Sequence, residues 1–140
     1  MIEAEPGGTV LASLARMIDS DRLAVVRVQS PESDLAGWRC ELAGLAIEQL
    51  GHPYDYSFDL DSPDRLSCAE VLTHTFQGVT WQARLLFGRP TVLPDDVVRL
   101  ALAENSGVAL VAYFAGGANS GWSELHADDL ASELRALCGP

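Results

Sequence analysis

Three sets of side chains in this 140-residue sequence could do chemistry: one cysteine, Cys68; an acidic loop with Asp55, Asp59, Asp61 and Asp64; and three histidines, His52, His74 and His126. Cys68 stands where helical spacing resumes, with Val71, Leu72, Thr75 and Phe76 on or near one face. At a helix start the backbone N–H groups and the helix dipole favour a thiolate, and a thiolate with a nearby base is a nucleophile. The competing reading is a small core residue, the commoner fate of a cysteine in an apolar helix. The aspartates resemble a calcium loop in spacing but lack its turn glycine and closing glutamate. A solvated acidic loop is therefore expected there, and no metal or cofactor is assigned. No two histidines stand at metal-ligand spacing. His74, six residues past Cys68, lies roughly 240° round a helix and points away from the thiol. His126, just ahead of the last helix, is expected at the surface.

The elements that must position these groups follow from pattern. Ile2 to Ala4 is extended, Pro6-Gly7-Gly8 turns, and Val10 to Ile18 has roughly helical spacing. Leu23 to Val28 is a β-branched strand closed by Ser30-Pro31. A long helix runs from an Asp34 cap to Leu50, with Gly51 ending it in the left-handed conformation. Residues 51–67 form a structured loop and Cys68 to Phe76 a helix; Gly78 to Pro90 reads either as a short strand or as an excursion. Pro94 opens a helix to about Glu104, Gly107 to Phe114 is a second buried strand, and Gly116-Gly117 breaks before a helix from Ala127 to Leu137. The class is α+β, within one domain over 1–140.

Composition narrows the chemistry. All 9 basic residues are arginine, against 20 acidic ones, for a formal charge of −11. Without lysine there is no Schiff base and no Walker-type phosphate loop, and the acidic surface repels nucleic acid. No apolar run is long enough to span a bilayer, and Met1 to Pro6 lacks the features of a secretory signal, so the chain as written reads as cytosolic. Cys40, Cys68 and Cys138 fit neither a disulfide framework nor a zinc pattern.

Gly51-His52-Pro53-Tyr54-Asp55-Tyr56-Ser57-Phe58, followed by Leu66-Ser67-Cys68-Ala69-Glu70-Val71-Leu72, resembles the YiiX/YebB-like branch of the NlpC superfamily, cysteine hydrolases with a circularly permuted papain-like fold. The stretch Ile2 to Val10, the strand through Val28 and Thr91 to Asp96 are similar to further family segments in the same order, so about the first 115 residues are covered. The resemblance implies an antiparallel sheet packed with helices, with 116–140 as a helical extension outside it. It also implies Cys68 as nucleophile and Glu3 as the acid that orients a base histidine. Ser67 and Ala69 replace the aromatic and the serine usual beside the cysteine.

In the family the base histidine lies on a strand ahead of the glutamate, and no histidine precedes Glu3 here. The sequence is thus read as an N-terminally shortened amidase or peptidase. Cys68 would form an acyl-enzyme with cell-wall peptides, related amides or lipid amides, its own N–H would help hold the oxyanion, and Tyr54 and Asp55 would line the acyl site. On this reading export is open if a segment precedes Met1, and the missing strands would leave Val25 and Val111 in a sheet with an uncovered edge suited to self-association. The alternative is a non-catalytic interaction module that keeps the pocket without the base. A third reading recruits His52 or His126 as base.

Overall fold

The computed structural model describes residues 1–30, 33–62, 64–117 and 121–138, with side chains at 17–19, 137 and 138 outside the description. Pro31 of the Ser30-Pro31 break and the Cys138 thiol therefore lie outside the described residues. In chain order the elements are β1 (Ile2–Glu5), β2 (Gly8–Leu11), a 3-10 turn (Leu14–Asp19), β3 (Arg22–Val28), α1 (Leu35–Glu48), α2 (Cys68–Thr75), β4 (Arg84–Leu86), β5 (Arg89–Thr91), α3 (Pro94–Leu102), β6 (Val108–Gly117), β7 (Gly121–Leu125) and α4 (Ala127–Cys138). The class is α+β, and all described sheets are antiparallel. The chain divides into two compact units, residues 1–12 with 30–97 and residues 13–29 with 98–140.

In the first unit, β1 and β2 form a hairpin with Ile2 opposite Leu11 and Glu5 opposite Gly8. This corrects the helix expected from Val10, where only the 3-10 turn from Leu14 is helical. The apolar spacing over 10–18 suits a helix, but Thr9, Val10 and Leu11 find ladder partners across the Pro6-Gly7 turn, and those bonds win. Gly8, at φ +115, is required because a Cβ there would stand 2.6 Å from the His52 carbonyl oxygen. That approach lets Thr9 N–H donate to His52 O at 2.8 Å and Gly51 N–H donate to Thr9 O at 2.9 Å. The end of α1 is thereby tied to β2.

Helix α1 starts at the expected cap, the Asp34 side chain accepting from Gly37 N at 3.0 Å, and Gly51 follows its end at positive φ. None of its residues is buried. The core of this unit is Ala4 of β1 with Leu66 and Val71, extended by the half-buried Ile2 and Tyr54. The undecided 78–90 stretch forms the β4–β5 hairpin, Leu86 pairing with Arg89.

In the second unit, β6 is central, with β3 and β7 outside it. Val25 on β3 and Val111 on β6 do belong to one sheet, Val25 on an outer strand and the half-exposed Val111 on the central one. The stretch 116–140 is not wholly helical, because β6 continues through Gly117 and returns as β7. Gly116 makes this possible: a Cβ at that position would stand 1.9 Å from Gly121 O, so glycine read as a break is instead the condition for close pairing. Tyr113, Leu130 and Leu134 form the core between β6 and α4, with Ala24, Val98, Leu102, Leu110 and Leu125 packed around them. The Tyr113 hydroxyl donates to Glu133 Oε2 at 2.5 Å, and Arg22 Nε donates to the same oxygen at 3.0 Å, joining α4 to β6 and β3.

Candidate active site

Cys68 is the first residue of α2, capped by Ser67 with extended backbone (φ −80, ψ 171). Beneath it lies a capping box: Glu70 Oε2 accepts the Ser67 N–H at 2.7 Å. Both partners are about 1% exposed, so the turn that presents the cysteine is held from inside while the Cys68 residue itself is exposed. Sequence reasoning gives Ser67 and Glu70 no role, although the Ser-x-x-Glu spacing just before an apolar run is a legible capping signal.

The thiol is not activated by this turn alone. The protein packed against one side of the sulfur pushes the Cys68 pKa above its ordinary value, and the Glu70 carboxylate adds to that push. The backbone N–H groups of Ala69 and Cys68 favour the thiolate and pull the other way without prevailing. The expected thiolate-favouring helix start is thus present, but desolvation outweighs it. Glu70 is itself held above the usual carboxylate range, first by burial and further by the Asp55 charge; its bonds to Ser67 and the His74 imidazole act against the rise. Its other oxygen, Oε1, is buried with no hydrogen-bond partner.

Tyr54 is held by a short backbone register. Tyr54 and Leu66 form an isolated parallel bridge, with Asp55 N–H donating to Leu66 O at 3.3 Å and Leu66 N–H to Pro53 O at 3.0 Å. Leu66 is fully buried two residues before Cys68, and the half-buried Tyr54 packs on the cluster of Ala4, Leu66 and Val71. The Tyr54 pKa is raised by burial and then by the negative charge of Cys68, with Tyr56, Asp55 and Glu70 adding to it. The rings of Tyr56 and Phe58 pack edge-on against it at 4.9 and 6.2 Å.

Asp55 is 2% exposed and turned into its own loop: its carboxylate accepts Ser57 N–H at 2.9 Å and Asp59 N–H at 2.6 Å. The acidic loop is therefore in part an aspartate-nucleated turn rather than a uniformly solvated segment. Among the described residues no three of His, Cys, Asp and Glu stand together as a metal site. Glu3 lies on β1 opposite Val10, with its Oε2 buried, next to the Ala4 that packs on Leu66 and Val71. One strand thus carries Glu3 and contacts α2, whose first residue is Cys68.

The histidines do not meet the sulfur in the same way. His52 Nδ1 lies 3.0 Å from Gln49 O and donates to it, which fixes the ring to the end of α1 and leaves Nε2 as its acceptor. His74 lies in the last turn of α2, six residues past Cys68. His126, exposed as expected, belongs to the second unit, where its N–H donates to Asp129 Oδ2 at 2.9 Å at the start of α4.

Comparison with curated proteins and with solved structures gives no match. The family described as "permuted papain-like amidase enzyme, YaeF/YiiX, C92 family" matches residues 1–116, a span that holds Glu3, the Tyr54 loop and the Cys68 helix start. On that match, and with an α+β fold that agrees with it, the chain belongs to the permuted papain-like amidase family of the YaeF/YiiX type.

Proposed function

We propose that the protein is a thiol-dependent amide hydrolase with Cys68 as nucleophile. The observation that carries this is an exposed cysteine at the first residue of a helix whose N-terminal turn is buried and closed by a capping box. The thiolate attacks the amide carbonyl carbon, the C–S bond forms, and the carbonyl oxygen takes the negative charge. Collapse expels the amine, which takes up a proton, and water then hydrolyses the thioester to release the acid and restore the thiol. The Cys68 N–H is the donor available to the oxyanion, Glu3 is the acid that orients the base, and Tyr54 lines the acyl side. Asp55 contributes through its loop, by holding the backbone that carries Tyr54. Cell-wall peptides or related amides are the substrate class the family resemblance favours.

Burial holds the Cys68 thiol pKa above its ordinary value, so the sulfur is not poised as a thiolate by its own surroundings. This favours a second reading, a family member that keeps the pocket as a binding module. The two are separated by acylating the chain with an activated short-peptide ester and mapping the adduct by mass spectrometry. For the hydrolase, the acyl group sits on Cys68, and added imidazole speeds thioester formation and turnover in the wild type but not in Cys68→Ser. Equal labelling of Cys40 and Cys68, with no imidazole effect that depends on Cys68, would leave only the binding module.

A further inference from the structure

Away from Cys68, one feature of the first unit is unexplained by hydrolysis. Residues 71–94 carry no acidic side chain, in a chain with 20 acidic residues among 140, and the middle of this stretch is the β4–β5 hairpin. Its two-residue turn is Phe87-Gly88, with φ of +52 and +81. Positive φ at both central positions is the type I′ pattern, which favours Asn, Asp or Gly at the first of them. A bulky phenylalanine there is strained. It gains nothing from packing to offset that strain, being 96% exposed, and Leu85, two residues before it on β4, is 76% exposed. Strain held at an exposed aromatic points to a contact made outside the chain.

The hairpin is also anchored rather than loose. Thr91 Oγ1 donates to Phe58 O at 2.7 Å, Leu60 N–H donates to Pro90 O at 3.2 Å, and Arg89 pairs with Asp59 at 3.6 Å. Arg84 pairs with Asp96, so the two arginines at its base are neutralised by acids of the same unit. What projects is an apolar tip on a charge-balanced stem.

We propose that this tip docks the protein on a neutral lipid bilayer, Leu85 and Phe87 entering the apolar layer while the paired Arg84 and Arg89 stay at headgroup level. Two side chains offer a few hundred Å² at most, well short of the roughly 800 Å² per partner of a stable protein interface. Shallow interfacial insertion, by contrast, is driven by apolar area and needs no complementary partner surface. The net charge of −11 and the neutralised arginines select zwitterionic over anionic lipid. The proposal does not rest on the chemistry of Cys68.

The test is co-sedimentation of the full chain with phosphatidylcholine vesicles. Wild type is expected to sediment with them, and replacing part of the lipid by phosphatidylglycerol to weaken binding. Phe87→Asn combined with Leu85→Thr should reduce partitioning about tenfold or more, the scale of transferring one or two apolar side chains. Because asparagine suits the turn, the same variant should melt no lower than wild type. Failure of wild type to bind, binding unchanged in the variant, stronger binding to anionic lipid, or a lower melting temperature of the variant would each overturn the proposal. The first result would be expected if the tip docks on a protein partner, and the last if it packs against this chain.

Discussion

At the residue scale the site is a competition around one sulfur. Two backbone N–H groups favour the Cys68 thiolate, while burial and the Glu70 charge oppose it and prevail. Iodoacetamide labelling of Cys68 should therefore follow a pH profile whose midpoint lies above that of a free cysteine thiol, with slower labelling at neutral pH. Glu70→Gln removes the opposing charge and should move that midpoint down. The same substitution has a stability signature. The folded pKa of Glu70 is raised, so the folded state holds its proton more tightly than the unfolded state. The resulting stability is fully present below the ordinary carboxylate pKa and is lost as pH rises through the folded value. Denaturant midpoints measured upward from pH 4.5, the unperturbed value, should show this decline in wild type and a smaller one in Glu70→Gln.

At the element scale, two backbone or side-chain ties hold each unit's parts together. Gly8→Ala would place a methyl group 2.6 Å from a carbonyl oxygen at a φ of +115, against backbone that cannot swing away. It should cost about 2 kcal/mol or more and loosen the Thr9–His52 connection, read as a lower urea midpoint and faster amide exchange at Thr9 and Gly51. In the other unit, burial first and then the Glu133 carboxylate push the Tyr113 pKa up to about 12. Its bond to Glu133 therefore stabilises the fold below pH 10, the ordinary tyrosine value, and that stabilisation disappears as pH rises toward 12. Tyr113→Phe should cost about 1 kcal/mol at neutral pH and remove most of the alkaline loss. A tyrosinate absorbance titration with no late-titrating group would contradict the raised Tyr113 pKa.

At the scale of the whole molecule, net charge is the strongest long-range influence. A formal charge of −11 makes the compact state repel itself, so moderate salt should raise the melting temperature by a few degrees. A melting curve insensitive to salt would mean that the arginine–carboxylate pairs already offset the repulsion. No helix among the described residues is long and apolar enough to cross a membrane. Family membership likewise belongs to this scale: it rests on a match over residues 1–116, most of the chain.

Local chemistry was legible wherever it is local. The β-branched run of β3, the Asp34 cap, Gly51 after α1 and the position of Cys68 at a helix start depend on neighbours within a few residues, and the sequence alone determined them. The family order made the α+β fold and the nucleophile candidate readable too. Pairing was not legible. Val10 has helical spacing yet lies in β2, and Gly116-Gly117 reads as a break yet continues β6, because cross-strand bonds depend on residues that meet only in the fold. Asp55 reads as available for substrate, but in the fold its carboxylate is bonded to the Ser57 and Asp59 amides. The direction of the Cys68 pKa was likewise decided by tertiary structure. A helix start is written in the sequence, but desolvation depends on the folded surroundings of the sulfur, and here it outweighs the neighbouring backbone N–H groups.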